Sequence, residues 1–352
     1  MVKKLILLAL FLSANIYSQV VWVPVNSKVY DFLDNLAIKK IIDYHSEFKP
    51  ISRKKAAKFL SELEKKSDML TDKEKQQLQW YKLEFGFELR TDERRFYAYD
   101  YQDSSFAFQV SPVLAYELNS YGGKSGYRRW FGINSFAYHS DWFGMSLDMR
   151  DHGELGDNVD KAKKFTPQTG RETIGVSNGI EYSDVRGGVS VDFNWGSISF
   201  QKDYFTVGNG RFGQLIHSTK APSYPFLRLE LSPVPWLRFN YVHGFLNSDF
   251  IDSIGYYHRS NPVYQTDKQR FVKKYFVMNY LSFTPWSMVD FSIGNSAVYK
   301  GEVKPEMFLP FAFYKYLDRD LGKGSIEDSN GQLFFETVVR YPDKFKFYYT
   351  FF

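Results

Sequence analysis

The chain has 352 residues, with 45 basic against 40 acidic side chains and a net charge of +5, too even a balance to single out nucleic acid as a partner. It contains no cysteine, which excludes a disulfide framework, a thiolate metal site and a cysteine-borne lipid anchor. Phe, Tyr and Trp number 34, 26 and 7, or 19% of the chain, while mean hydropathy is only −0.39; this excludes a helical membrane protein yet supplies many residues that favour strands and membrane interfaces.

Residues 1–19, MVKKLILLALFLSANIYSQ, join a short basic start to a greasy run of about a dozen residues and then small and polar ones, the form of a secretory signal peptide. The run is too short for a spanning helix, and no later stretch reaches about 18 uninterrupted apolar residues. Residues 20–90 follow the helical period. Phe32, Leu33, Leu36, Ile38, Ile41 and Ile42 make one apolar stripe. Ser52, after Pro50, can cap a second helix with Ala56, Phe59, Leu60 and Leu63 inside, and Thr71 and Glu74 have capping-box spacing for a third running through Leu78, Tyr81 and Leu83. The charged faces of these helices, with Lys39, Lys40, Arg53, Lys54, Lys55, Lys65 and Lys66, read as solvated surface.

Over residues 91–352 the period changes to two. Phe143, Met145, Leu147 and Met149 alternate with Gly144, Ser146, Asp148 and Arg150; Val189, Val191, Phe193 and Trp195 with Ser190, Asp192 and Asn194; Leu227, Leu229 and Leu231 with Arg228 and Glu230; Leu333, Phe335, Thr337 and Val339 with Glu336 and Arg340. Successive strand side chains point to opposite faces, so each run has a greasy face and a polar one. Roughly fourteen such segments are counted, many near the length of about 9 to 11 residues that crosses a bilayer when tilted. Tight connections are expected at Gly187-Gly188 and around Pro342, and long polar ones between His152 and Arg171 and between Asn247 and Arg270. LSPVPWLRFNYVHG from Leu231 and LSFTPWSMVDFSIG from Leu281 read as two similar hairpins, with Pro235-Trp236 and Pro285-Trp286 marking turns at one rim. The chain ends KFKFYYTFF, with Phe345, Phe347, Tyr349 and Phe351 on one parity.

Two architectures accommodate this pattern. A secreted β-sandwich or propeller would turn its greasy face to a second sheet and its charged face to water. A transmembrane antiparallel β-barrel preceded by a small α-helical domain needs only alternate residues to be greasy, and the aromatic-rich greasy parity and two-signed polar parity favour it.

The segment VGNGRFGQLIHSTKAPSYPFLRLELSP from Val207 to Pro233, with FLPFAFYK from Phe308 to Lys315 and the helical VYDFLDNLAIKKIID and FKPISRKKAAKFLSELE, resembles the Wzi family of capsule assembly proteins. The pattern is a glycine-rich stretch, a leucine, a serine, then alanine and proline before a strand, matched here by Gly208, Gly210, Gly213, Leu215, Ser218, Ala221 and Pro225. The resemblance implies an outer-membrane barrel of about eighteen strands, a periplasmic helical domain before it, and non-catalytic, lectin-like attachment of capsular or extracellular polysaccharide to the cell surface. It implies a monomer whose partners are polysaccharide and outer-membrane lipid, without a cofactor. The strand count is smaller than the resemblance implies, which leaves both a closed barrel and one truncated before it closes as expectations, and the pattern looks like that of distant, Bacteroidetes-like members. A general diffusion porin is the alternative.

Recognition of polysaccharide asks for aromatic faces against sugar rings, and for planar or charged groups on hydroxyls and carboxylates. Arg211, His217 and Lys220 lie in the family-like segment, and Arg228, Arg238 and Asn240 on the polar parity after it; these six are the glycan-binding candidates. The other reading is that they balance Glu230 and neighbouring acids in a packed interior. No catalytic constellation stands out: Ser177-Asn178-Gly179 is similar to the Ser-Asn-Gly of outer-membrane phospholipases, but those carry a histidine where this chain has Gly175. Asp148, Asp151, Glu154, Asp157 and Asp160 lack calcium-loop spacing and read as a solvated loop, and His152, His217, His243 and His258 lack the spacing of metal ligands. GNGRFG after Val207 lacks the strand and helix that would make it a phosphate loop.

Overall fold

The computed structural model describes residues 21–140, 142–163, 166, 173–193, 195–211, 213–246, 248, 271–321, 329–342 and 344–352. The expected signal peptide, His258 and nearly all of the long connection from 247 to 270 lie outside them.

Three helices form as the sequence periodicity predicts: α1 (Val29–Ile38), α2 (Arg53–Lys65) and α3 (Asp72–Glu84), followed by a single turn, α4 (Gly86–Leu89). Ser52 Oγ accepts from the Lys55 amide at 3.1 Å, and Thr71 and Glu74 bond reciprocally, so both starts satisfy amides that have no partner within the helix. Phe32, Leu33, Leu36, Ala56, Leu60, Leu63, Leu78 and Tyr81 form one dry core. Leu83 is exposed, because two residues beyond Tyr81 is the opposite side of the helix; Phe85 takes the inward place. The charged faces are not all solvated. Arg53 is buried, donating to Glu88 at 2.6 Å and stacking on Phe85 and Phe136, and Lys55 reaches Glu230 at 3.4 Å.

A first short strand, β1 (Phe48–Lys49), precedes β2 (Tyr99–Gln102), β3 (Phe106–Tyr121), β4 (Lys124–His139), β5 (Phe143–Gly156), β6 (Ile174–Val176), β7 (Gly179–Asp192), β8 (Gly196–Asp203), β9 (Thr206–Val207), β10 (Tyr224–Val234), β11 (Leu237–Leu246), β12 (Lys274–Trp286), β13 (Val289–Lys300), β14 (Ser329–Tyr341) and β15 (Phe345–Phe351). The fold is mainly β. A 13-stranded antiparallel sheet runs in chain order from β2 to β15, with β6 an extra strand on β7, while β1 and β9 pair separately. Among the described residues β15 and β2 are the two ends of the sheet and do not pair with each other.

Several details depart from the sequence reading. Gly187 and Gly188 lie within β7 rather than at a turn: a side chain at either would collide with the neighbouring strand, at the Ser146 or the Phe200 carbonyl. Asp148, Asp151 and Glu154 belong to β5, which pairs with β4 and β7 up to Leu155, so the polar loop starts later than expected. The two similar hairpins are not superposable. Val234 pairs with Leu237 around Pro235-Trp236, whereas Trp286 pairs with Val289, two residues further along the shared motif. Each carries a bulge just before its turn.

Connections of unequal length separate the sheet's two rims. One has tight turns at 140–142, 193–195, 235–236, 287–288 and 342–344; the other has the tight Gly122-Gly123 turn and the longer connections 204–223, 247–273 and 301–328. Four of the seven tryptophans, Trp142, Trp195, Trp236 and Trp286, are exposed at the tight-turn rim.

Most charged side chains of the wall share one parity. Arg228, Arg238, Asn240, Ser282, Asp290, Ser292, Glu336 and Arg340 are buried on one face, where the helical region packs. Met145, Ile198, Phe200, Leu333, Phe335 and Phe347 are exposed on the other, Phe200 at 51% against 2% for Arg228. FLPFAFYK, leading into α5 (Tyr314–Leu321), lies on this second face, with Phe311 stacked on Phe239 at 4.3 Å and Phe308 on His243 at 4.1 Å. Its carbonyls of Pro310 and Ala312 accept from Asn279 Nδ2 at 3.0 and 2.7 Å, so a polar residue on the greasy parity is satisfied.

Candidate functional site

The connection between α1 and α2 enters the covered face of the sheet. β1 pairs with β9, and Phe48 stacks parallel to Phe205. Around Phe48 the wall supplies Phe226, Val242, Met278, Tyr280 and Phe334, all buried on the parity that otherwise carries charge. Each such side chain removed from water contributes roughly 1.5–3 kcal/mol. The signal was present in the sequence as doublets that break strict alternation: Phe226-Leu227, Tyr241-Val242, Val277-Met278 and Phe334-Phe335. A strand greasy on consecutive positions presents apolar side chains on both faces.

Beside this core the charges close on one another. The Arg228 guanidinium lies between the Trp22 and Phe48 rings, 4.5 and 4.1 Å from their centroids, and donates to Pro50 O at 2.7 Å, Glu230 at 2.7 Å and Asn240 Oδ1 at 2.9 Å. Arg238 donates to Glu47 at 2.5 Å and to Thr284 Oγ1 at 3.0 Å, and lies 3.7 Å from Asp290. Asp290 also pairs with Arg340 and meets His45 Nδ1 at 3.0 Å, while His45 Nε2 meets Asp43 at 3.1 Å. Burial opposes the charged imidazole of His45, but the Asp290 and Asp43 carboxylates on its two sides outweigh burial and raise its pKa above the ordinary histidine value. Burial likewise opposes the Glu47 carboxylate, and Arg238 and His45 together more than offset it, holding that pKa below the ordinary glutamate value. Further along, Glu336 accepts from the Asn209 amide at 3.0 Å and from Tyr280 Oη at 2.9 Å.

Of the six glycan candidates, the structure brings Arg228, Arg238 and Asn240 together, buried and bonded within the chain, Arg228 to Glu230 as the packed-interior reading expects. His217 stands apart in the β9–β10 connection, its ring 3.9 Å from that of Phe205 and its Nε2 2.8 Å from Tyr224 Oη; burial lowers its pKa to about 4. Arg211 borders a separate cavity of about 320 Å3, lined also by Tyr30, Asp34, Lys49, Lys346 and Tyr348. Lys220 is exposed in a turn beyond both.

Ser177-Asn178 is the two-residue turn between β6 and β7, with Val176 paired to Gly179. No group of three or more His, Asp or Glu among the described residues is placed to hold a metal ion. One polar cleft was not anticipated from the sequence. At the long-connection rim, Glu117, Asn119, Tyr121, Arg128, Glu154 and Lys163 line about 560 Å3. Its signal was the inward row Asp148, Arg150, His152, Glu154, which continues the alternation past the point where a loop was expected.

No protein-family model, no curated protein and no solved structure matches the chain.

Proposed function

We propose that the chain forms the wall of an outer-membrane β-barrel, sealed from within by its own N-terminal helical region, and that it takes part without catalysis in assembling or attaching capsular or extracellular polysaccharide at the cell surface. The observation that carries this reading is the inverted sheet: the charged parity is buried, and the aromatic parity is bare except around Phe239, Tyr241 and Tyr299, where Met307 and Tyr314 cover it. In water such an apolar face needs a second layer; in a bilayer, lipid is that layer. Exposed Trp142, Trp195, Trp236 and Trp286 at one rim fit an interfacial belt. The helical region bonds to wall residues near that same rim, including Tyr138, Arg238, Asp290 and Lys346, which fits a periplasmic position. The polysaccharide role rests on the likeness to the Wzi family in the segment after Val207.

The inserted connection favours attachment over diffusion. A strand pair, a stacked arginine and a buried clasp across the wall oppose the open lumen a porin needs. The protein extracted from outer membranes should migrate faster on gels unheated than boiled and should be electrically silent in planar bilayers. Cells lacking it should shed surface polysaccharide into the medium. Recovery in soluble fractions would overturn the membrane reading, and steady conductance would replace attachment with diffusion.

A further inference from the structure

The cleft at the long-connection rim lies far from the helical clasp and uses none of its residues. The 16-residue strands β3 and β4 carry it past the rest of the wall, and the start of the β5–β7 connection folds back over it, with Asn158 Nδ2 reaching Asn119 O at 3.4 Å. Glu154 is its hub: it accepts from Tyr182 Oη at 2.9 Å and Lys163 Nζ at 3.3 Å, and Arg128 donates to the same Tyr182 oxygen at 3.0 Å. Arg128 Nε is buried without a hydrogen-bond partner, and beneath Glu154 on the same parity both ring nitrogens of His152 are buried and unpartnered in a row of rings with Trp130 and Tyr182. Of these two residues Arg128 lines the cleft, its Nε 3.9 Å from Glu154 Oε1, while His152 lies below the lining.

We propose that this cleft is a subsite for a neutral, hydroxyl-rich stretch of glycan, a proposal that rests on the polysaccharide reading above and names where the sugar goes. Its volume of about 560 Å3 falls in the range of small-ligand pockets, on the order of 300–1,000 Å3. Three acids, Glu117, Glu154 and Asp160, face two cations, Arg128 and Lys163, a balance that disfavours polyanions, whereas carboxylates and amides side by side can accept from and donate to vicinal hydroxyls. Tyr121, 87% exposed at the hairpin tip, offers a ring face to a sugar. On the membrane reading this rim faces outward, where the glycan lies.

The test is a glycan array of neutral and uronate-bearing oligosaccharides probed with the detergent-purified full chain, with titration of each hit by tryptophan fluorescence. Neutral oligosaccharides should bind, and Glu154→Gln and Tyr121→Ala should each weaken them about tenfold, the loss of one charge-assisted bond or one stacked ring. Tyr121→Ala alters only an exposed tip, so it stays informative if Glu154→Gln fails to fold. Binding that survives both substitutions would overturn the cleft while leaving the polysaccharide role standing. Hits confined to uronate-bearing glycans, or none at all, would also overturn the cleft; retention of surface polysaccharide by whole cells tests the broader role separately.

Discussion

The strands β10–β14, whose alternation is interrupted by greasy doublets, and the strands β5, β7 and β8, whose alternation is stricter, finish their covered faces by different means. In the first group the wall is completed by another part of the chain: Phe48 fills the apolar gap among Phe226, Met278 and Phe334, and Glu47 and His45 meet Arg238 and Asp290. In the second the wall completes itself. Asp148 bonds Asn134 of β4, Arg150 of its own strand and Arg186 of β7, all with some access to solvent. Buried charge is therefore met by long-range insertion in one half and by neighbouring strands in the other, and the two should fail differently.

The largest difference is expected for the acids. Asp290→Ala removes the carboxylate shared by His45, Arg238 and Arg340 and leaves buried cations facing one another, a loss of about 3–5 kcal/mol. Asp148→Ala leaves Arg150 and Arg186 with access to water, and should cost about 1–2 kcal/mol. The temperature at which each variant loses its unheated gel mobility compares them. Equal losses would mean that the inserted connection adds nothing to the wall.

Next come two methionines of opposite parity. Met278 is fully buried against the inserted core, and Met278→Ala should cost about 2–4 kcal/mol through the cavity it leaves. Met145 is 48% exposed on the other face, and Met145→Ala in detergent should change stability by under about 1 kcal/mol. A large effect at Met145 would show a protein layer, not lipid, against the aromatic face.

The same contrast explains how much could be read in advance. Strict alternation in FGMSLDMR around Asp148 fixes one polar and one greasy face, and β5 forms there, running past its anticipated end. Capping residues gave α2 and α3 their starts because a cap is a local bond. What eluded reading was long-range: no local rule pairs Glu47 with Arg238 or sends Phe48 beneath Phe226, and Arg53 on a charged helix face gives no sign that Glu88 will bury it. Of the glycan candidates, polar parity identified the face of Arg228, Arg238 and Asn240; that the chain would occupy that face itself was hinted at only by the greasy doublets.

The smallest expected effect isolates the clasp by pH. His45 has a raised pKa in the folded chain, so its contribution is complete below the unfolded histidine value of about 6.5 and is lost as pH rises through the folded value. Asp43 and Glu47 beside it have lowered pKa values and give up their stabilisation only on strong acidification, below the ordinary carboxylate range. His217 runs the other way from His45: its pKa of about 4 means that stability is lost as pH falls from about 6.5, where the unfolded chain begins to take the proton. Between pH 6.5 and 9 the two effects therefore separate. The wild-type melting midpoint should fall across that interval, and His45→Gln, which can still donate to one acid but carries no charge, should flatten the slope while leaving in place the acid limb to which His217 contributes. A wild-type midpoint independent of pH over the interval would mean that the imidazole between Asp43 and Asp290 is uncharged throughout, and that the helical region is held by Arg238 and the Phe48 core alone.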